Sequence, residues 1–464
     1  MAYRTVANLR QVSVAELTAA CPAAERGPRT LQPRAHLDRW QILRDLLVDA
    51  WVNPDEPAED LLARHLGVLS RVEADLIARM FHNVRRIFPI PDTAEMDLEG
   101  RRFWFDAEDH GVSVPANVTF SITTEDGVEH VRLKTGRSRT TDAEAAVLWS
   151  AAEEGETFLD LMAGTGEVEP ITPPPDPAAL LSDLIEQHSA RGNGVRPGPG
   201  CVWCRRAATC GAFPADRPVS SKVKTLNITK TDVEMLDRCH RRVAWRRVHG
   251  MPRDDGEEID SGPGLGQGRL FHAMVASAEG SDDPEGAVST YLAGVPPSEV
   301  AELRLMWENH CRLIEEEGLT VRQAEFPVGV TLVEGEGADA FGTSVIAFLD
   351  LTARDSTGAP VAIELKTGNP TDHVIEDDIY ATGLRRWIGP DVPAVIHRHY
   401  VRHSPPACEV VVLGPEQVEA AAERLRRRVR PVHDWEWDDP LQPSYREGPW
   451  CEGCEFRLTC RAYR

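Results

Sequence analysis

Residues 360–366 alternate in character: Val361, Ile363 and Leu365 are apolar, while Ala362, Glu364 and Lys366 point the other way. That is the period-two signature of a half-buried strand, and it places Glu364 and Lys366 on one face. The run at 345–351 is apolar except for Asp350, an acid that a core strand tolerates only when it is paired or metal-bound. The polar stretch 355–360 between the two runs predicts a hairpin, which sets Asp350 beside Glu364. A matching hairpin signal, Asp126-Gly127, precedes a strand that ends in Lys134. Helix starts are predicted where a hydroxyl residue stands three before an acid, at Ser13 with Glu16 and at Thr231 with Glu234.

These patterns are written twice. Arg132-Leu133-Lys134-Thr135-Gly136 and Glu364-Leu365-Lys366-Thr367-Gly368 are nearly the same pentapeptide in a chain with five lysines, and Glu144 and Glu376 each follow the lysine by ten. Cys201, Cys204 and Cys210 have the spacing C-x2-C-x5-C, repeated by Cys451, Cys454 and Cys460. Cys21 and Cys239 each lie eight residues after a predicted helix start. The expectation is two tandem α/β domains, 1–212 and 229–464, with a linker at 213–228. Each would run from an opening helix and a helical region through a central mixed sheet, crossover helix, return strands and final helix to a cysteine knot.

At 464 residues, with 42% hydrophobic and 27% charged, the chain can bury cores of two or three domains. No apolar run approaches a membrane span and the first residues lack a secretory core, so a cytoplasmic location with no membrane contact is expected. Ten cysteines there point to metal or catalysis rather than disulfides. The net charge of -23 argues against polyanion binding over the whole surface. Charge is segregated, however: residues 201–250 hold 11 Lys+Arg against 4 Asp+Glu, and residues 251–350 hold 5 against 20. Arg241, Arg242, Arg246 and Arg247 are therefore candidate phosphate contacts, as is the run at 424–430.

Three clustered thiols and a distant fourth make a tetrahedral sulfur site for zinc or an iron–sulfur cluster, and the long separation leans toward iron–sulfur. Either would clamp a domain's ends together. Asp350 and Glu364 are suited to a hard divalent cation, and Lys366 to offsetting phosphate charge, an arrangement for cleaving phosphodiesters. His397, His399 and His403 read as an ordinary sheet face, and Cys311 and Cys408 as small buried residues. The glycine-rich stretch 159–166 reads as a return strand and turn, because the prolines that follow exclude a nucleotide-binding helix.

Asp350 followed by Glu364-Leu365-Lys366-Thr367-Gly368 resembles the core of the RecB-like PD-(D/E)XK nucleases. Gly268-Arg269-Leu270-Phe271-His272 resembles the family's G-x-x-x-H motif, and Glu376 to Tyr380 its Q-x-x-x-Y motif, with Glu in place of Gln. A lone cysteine before the core and C-x2-C-x5-C after it resemble the iron–sulfur branch seen in AddB-type subunits and CRISPR-adaptation nucleases. The resemblance implies two restriction-endonuclease-like folds, each closed by a four-cysteine metal cluster. In the second, Asp350, Glu364, Lys366, His272 and Tyr380 would be catalytic. Magnesium or manganese would sit on His272, Asp350 and Glu364, and Glu376 and Tyr380 would contact DNA. Two 4Fe-4S clusters are implied, on Cys21, Cys201, Cys204 and Cys210 and on Cys239, Cys451, Cys454 and Cys460, with zinc as the alternative. The first half, with Arg132 for the acid, Leu148 for Tyr380 and His36 as a loose counterpart of His272, reads as a degenerate copy. The implied activity is DNA hydrolysis on single strands or ends, in repair, recombination or phage defence, with a separate helicase or defence protein as a partner. An inactive iron–sulfur DNA-binding or assembly subunit is the competing reading.

Overall fold

The computed structural model describes residues 9–19, 21, 29–33, 35–89, 94–136, 138–190, 194–253, 263–370 and 373–463; the side chain of His36 lies outside what is described. The first half runs β1 (Arg10–Gln11), α1 (Val14–Thr18), α2 (Ala35–Val52), α3 (Ala58–Leu66), α4 (Arg71–Ile87), β2 (Glu95–Asp97), β3 (Arg102–Ala107), β4 (Val112–Asn117), β5 (Phe120–Thr124), β6 (Gly127–Lys134), α5 (Asp142–Ser150), β7 (Glu156–Met162), β8 (Glu167–Pro170) and α6 (Pro177–Ala190). The second runs β9 (Lys224–Thr229), α7 (Lys230–Leu236), α8 (His240–Arg247), α9 (Pro263–Glu279), α10 (Pro284–Ala293), α11 (Pro297–Glu316), β10 (Thr320–Glu334), β11 (Phe341–Arg354), β12 (Pro360–Lys366), α12 (Val374–Ile388), β13 (Ala394–Tyr400), β14 (Ala407–Leu413), α13 (Pro415–Val429) and α14 (Arg457–Ala462). The fold is mixed α/β.

Among the described residues the strands form three sheets: β1-β4-β3, β2-β5-β6-β7-β8, and β10-β11-β12-β13-β14 with β9 also on β11. The two larger sheets share a run of pairings: antiparallel β5–β6 and β11–β12, parallel β6–β7 and β12–β13, antiparallel β7–β8 and β13–β14. The parallel pairs are joined by crossover helices α5 and α12, as parallel neighbours require. Both predicted hairpins form. At the first turn Gly127 has φ +140°, and a Cβ there would lie 2.3 Å from the Gly155 carbonyl oxygen, so only glycine fits. At the second, Asp355 Oδ1 accepts from the backbone N–H of Thr357 and Ala359 at 2.8 and 2.9 Å. The stretch 159–166 ends β7 and turns into antiparallel β8.

Two local expectations shift. Ser13 caps α1 by accepting from the N–H of Glu16 as predicted, but the second helix starts two residues early: Thr229 and Asp232 form the capping box of α7, not Thr231 and Glu234. Residues 213–228, expected as a linker, contain most of β9, which pairs in parallel with β11 from Lys224↔Phe341 to Thr229↔Ile346. An apolar segment beside an open stretch of β11 gains more by pairing than by crossing solvent.

The cysteine segments brace one half against the other. Cys201, Val202 and Phe213 pack on Ile346 of β11, and the Asn227 side chain donates to the Cys204 carbonyl at 2.8 Å. In return Trp245, Phe456 and Cys454 join the core of α2, α4 and β5–β7. Arg39 of α2, nearly fully buried, donates to Glu73 and to the carbonyls of His249 and Gly250.

Arg241, Arg242, Arg246 and Arg247, expected to contact DNA, are engaged internally. Arg241 donates to the carbonyls of Leu441 and Pro443, Arg242 and Arg246 pair with buried Glu455, and Arg247 pairs with Asp232 and covers the Trp203 ring. Guanidinium groups already bonded to buried acids and carbonyls have little left for phosphate, so the run is a clamp between α8 and the C-terminal segment. Burial opposes the Glu455 carboxylate, but Arg246 and Arg242 outweigh it and hold its pKa below the usual range. Its contribution is thus complete above the ordinary glutamate pKa and lost as pH falls through the depressed value. Glu455→Ala is expected to lower the unfolding free energy by about 3 kcal/mol at neutral pH, and by much less in strong acid, in urea titrations. A loss under about 1 kcal/mol at neutral pH would contradict the clamp.

Candidate active site

The hairpin places Asp350 at the position next to the Leu351↔Ile363 pair, and Asp350 Oδ2 accepts from the N–H of Leu365 at 2.7 Å. The alternation read in β12 holds: Val361, Ile363 and Leu365 pack in the core with α9–α11, and Glu364 and Lys366 face α12. His272 arrives from α9. A Cβ on Gly268 would meet the Thr367 hydroxyl at 3.0 Å, so glycine lets α9 run close to the end of β12. One turn later His272 Nδ1 lies 2.7 Å from Asp350 Oδ1. Burial disfavours the imidazolium, but the Asp350 hydrogen bond and charge win and raise its pKa.

Glu364 is almost fully buried and accepts from Tyr380 Oη at 2.9 Å, from Lys366 Nζ at 3.1 Å and from Lys230 Nζ at 3.3 Å. Burial first, and Asp350 second, push its carboxyl up to about 8. Glu376 is equally buried, and Lys366 Nζ donates to its two oxygens at 2.9 and 2.8 Å; Lys230 bonds it as well. Burial works against this carboxylate, yet Lys230 and Lys366 together hold it well below the usual range. Lys230 is raised by the same partnership, since Glu364 and Glu376 overcome its own desolvation. The result is a chain of alternating acids and lysines, Glu364–Lys366–Glu376–Lys230, closed by Tyr380.

Asp350, Glu364, Lys366, His272, Glu376 and Tyr380 therefore come together. Two of them sit otherwise than expected. Tyr380 has no exposed surface and Glu376 almost none, so neither is available to a DNA backbone; they hold Glu364 and the lysines. Lys230 was missed in the sequence, although a signal existed: in a chain with 46 arginines and 5 lysines, a lysine at a strand–helix junction is conspicuous.

The donor set suits a hard divalent cation. Asp350 and Glu364 supply oxygens, and the upward push that Asp350 gives Glu364 is like-charge repulsion that a cation would relieve.

The first half holds the same positions with reversed charge. Arg132↔Asp160 stands where Glu364↔Arg398 stands in the second sheet. Arg132 donates to Glu144 at 2.6 Å, Thr140 donates to Asp160 from its N–H and hydroxyl, and Lys134 lies 4.0 Å from Asp160. Leu148 is buried in the core. On this strand pair two cations, Arg132 and Lys134, face the single carboxylate of Asp160.

No disulfide joins any of the ten cysteines. Cys21, Cys201, Cys204 and Cys210 line one cavity, and Cys239, Cys451, Cys454 and Cys460 line a second. Backbone N–H groups of Arg196, Gly198 and Ala212 reach the sulfurs of Cys21, Cys201 and Cys210 at 3.3, 3.3 and 3.4 Å, as thiolates in a metal site would require. Four soft donors around each cavity fit iron or zinc.

Sequence comparison agrees with the carboxylate–lysine geometry: the model of the PD-(D/E)XK nuclease superfamily matches residues 227–461, just over half of the chain. The chain belongs to the PD-(D/E)XK nuclease superfamily. No curated protein matches it. Among solved structures, a candidate exonuclease from Eubacterium rectale is similar at 12% identity and a TM-score of 0.33, over 51% of this chain and 88% of that one. The protein SSO0001 is similar at 17% identity and a TM-score of 0.23, over 51% and 86%. Among the described residues no helix is long and apolar enough to cross a membrane.

With membership established, the charge chain yields a prediction. Lys230→Met is expected to cut metal-dependent cleavage at least tenfold, whereas exposed Lys222→Met leaves it unchanged; equal activity in both would remove Lys230 from the site.

Proposed function

We propose that the second half is a magnesium- or manganese-dependent deoxyribonuclease whose site is Asp350, Glu364 and Lys366. The observation that carries this reading is the buried Glu364 beside Asp350, a repelling acid pair with a lysine on the same strand face. Asp350 and Glu364 would hold the cation, with His272 as a further ligand or as the group that orients Asp350. When bound, the cation supplies Lewis-acid polarisation of a phosphodiester and activation of water. The chain's own residues do the rest. Lys366, tethered by Glu364 and Glu376 and still partly exposed, presents a fixed positive charge for the developing phosphorane. Tyr380 locks the Glu364 rotamer by donating to it from below.

The first half is read as a degenerate copy, supported by the shared strand pairings and the reversed charges at Arg132 and Asp160. The units are 1–212 and 229–464, with β9, in the segment between them, pairing with the sheet of the second. Two iron–sulfur clusters, or zinc in their place, would hold the bracing segments, supported by the two four-cysteine cavities. The substrate is DNA, as single strands or ends, in repair, recombination or defence in the cytoplasm; with no P-loop in the sequence, a motor would be a separate helicase.

Purified without oxygen, the protein should carry about eight irons with acid-labile sulfide per chain; two zincs and no colour would replace the clusters with zinc. Asp350→Ala and Glu364→Gln should each lose at least about a hundredfold in metal-dependent nicking of labelled DNA while melting like the wild type, and Lys134→Met should nick normally. Full activity in Asp350→Ala would overturn the assignment, and a gel shift without products in the wild type would favour the binding subunit.

A further inference from the structure

A second group of metal-binding side chains lies on the other face of the same sheet. His397 and His399 occupy alternate positions on β13, Cys408 of β14 stands directly opposite His399, and His399 is the parallel partner of Leu365 on β12. In sequence they read as a plain sheet face and a small buried residue. In the structure one ligand atom from each lies within 4.8 Å of the others. His397 Nδ1 is 3.7 Å from Cys408 Sγ, and nitrogen and sulfur ligands of one tetrahedral zinc stand roughly 3.6 Å apart.

Hydrogen bonding points the same way. His399 is fully buried and neither of its ring nitrogens has a partner among the described residues, a condition that native interiors rarely leave uncompensated. Glu317, at the end of α11, brings a carboxylate oxygen to 4.0 Å from His397 Nδ1.

We infer that His397, His399 and Cys408 bind a borderline divalent transition ion of the zinc class, with the Glu317 carboxylate beside His397. Two imidazoles and a thiolate select such an ion over magnesium. Cys408 releases its thiol proton to solvent on binding. The ion joins β13 and β14 behind the strand that carries Glu364 and Lys366. It is thus a support for that strand, separate from the acid pair and from both four-cysteine cavities.

The test uses the full-length chain, zinc chloride and iodoacetamide, with labelling read peptide by peptide so that the cluster cysteines do not interfere. Alkylation of Cys408 is expected to be at least tenfold slower with zinc than after chelation, while Cys311 reacts equally in both. In His399→Asn the protection should vanish. Equal Cys408 rates with and without zinc in the wild type would overturn the site, whether or not the variant folds. Protection that persists in folded His399→Asn would overturn the ligand set.

Discussion

Glu364 is a carboxyl group held in the interior next to Asp350, and the second half is organised around making its ionisation tolerable. An unpaired buried charge costs far more than a domain can spare. Lys366 comes from the same strand, Tyr380 from the helix α12 that follows it, and Lys230 from the start of α7, more than a hundred residues upstream, while Glu376 of α12 holds both lysines. Glu376 is the quieter half of the device. By keeping two lysines on itself it fixes their positions, and by staying ionised it keeps them charged, so Glu364 remains an acid with a reason to take a cation.

The cysteine segments impose the second constraint. Each packs on the opposite half, Cys201 and its neighbours on β11 and Cys454 with Phe456 on the helices of the first half. A metal at either cavity would therefore tie together more than the ends of one domain. The Arg242–Glu455–Arg246 clamp stands beside the second cavity and links α8, which follows Cys239, to the residue after Cys454. The first half, with Arg132 and Asp160 paired across β6 and β7, contributes packing and a cavity lined by four cysteines.

Much of this was legible in the sequence. The alternation in β12 and the lone acid in an otherwise apolar β11 fixed the Asp350–Glu364 pairing, because period-two strands and a hairpin leave little freedom. Glu376 and Tyr380 were found by motif, but their role was misjudged: a motif gives position, while burial decides whether a side chain meets solvent, DNA or another side chain. Lys230 and the linker assignment failed for a shared reason. Their partners, β11 for the strand in the linker and Glu364 and Glu376 for Lys230, are more than a hundred residues away, and local pattern cannot report a pairing of that range. The basic run at 238–247 misled in the same way, since its acid partners, Glu455 and Asp232, are brought to it by the fold.

Everything proposed for the second half rests on Asp350 and Glu364 forming the cation site while the lysines stay on Glu376. A crystal of the wild-type protein soaked in manganese, with anomalous scattering recorded, tests it most directly. A manganese peak bound by Asp350 and Glu364, with Lys366 still bonded to Glu376, is the expected result. Manganese bound elsewhere, with Glu364 still held by Lys230 and Lys366 alone, would contradict it.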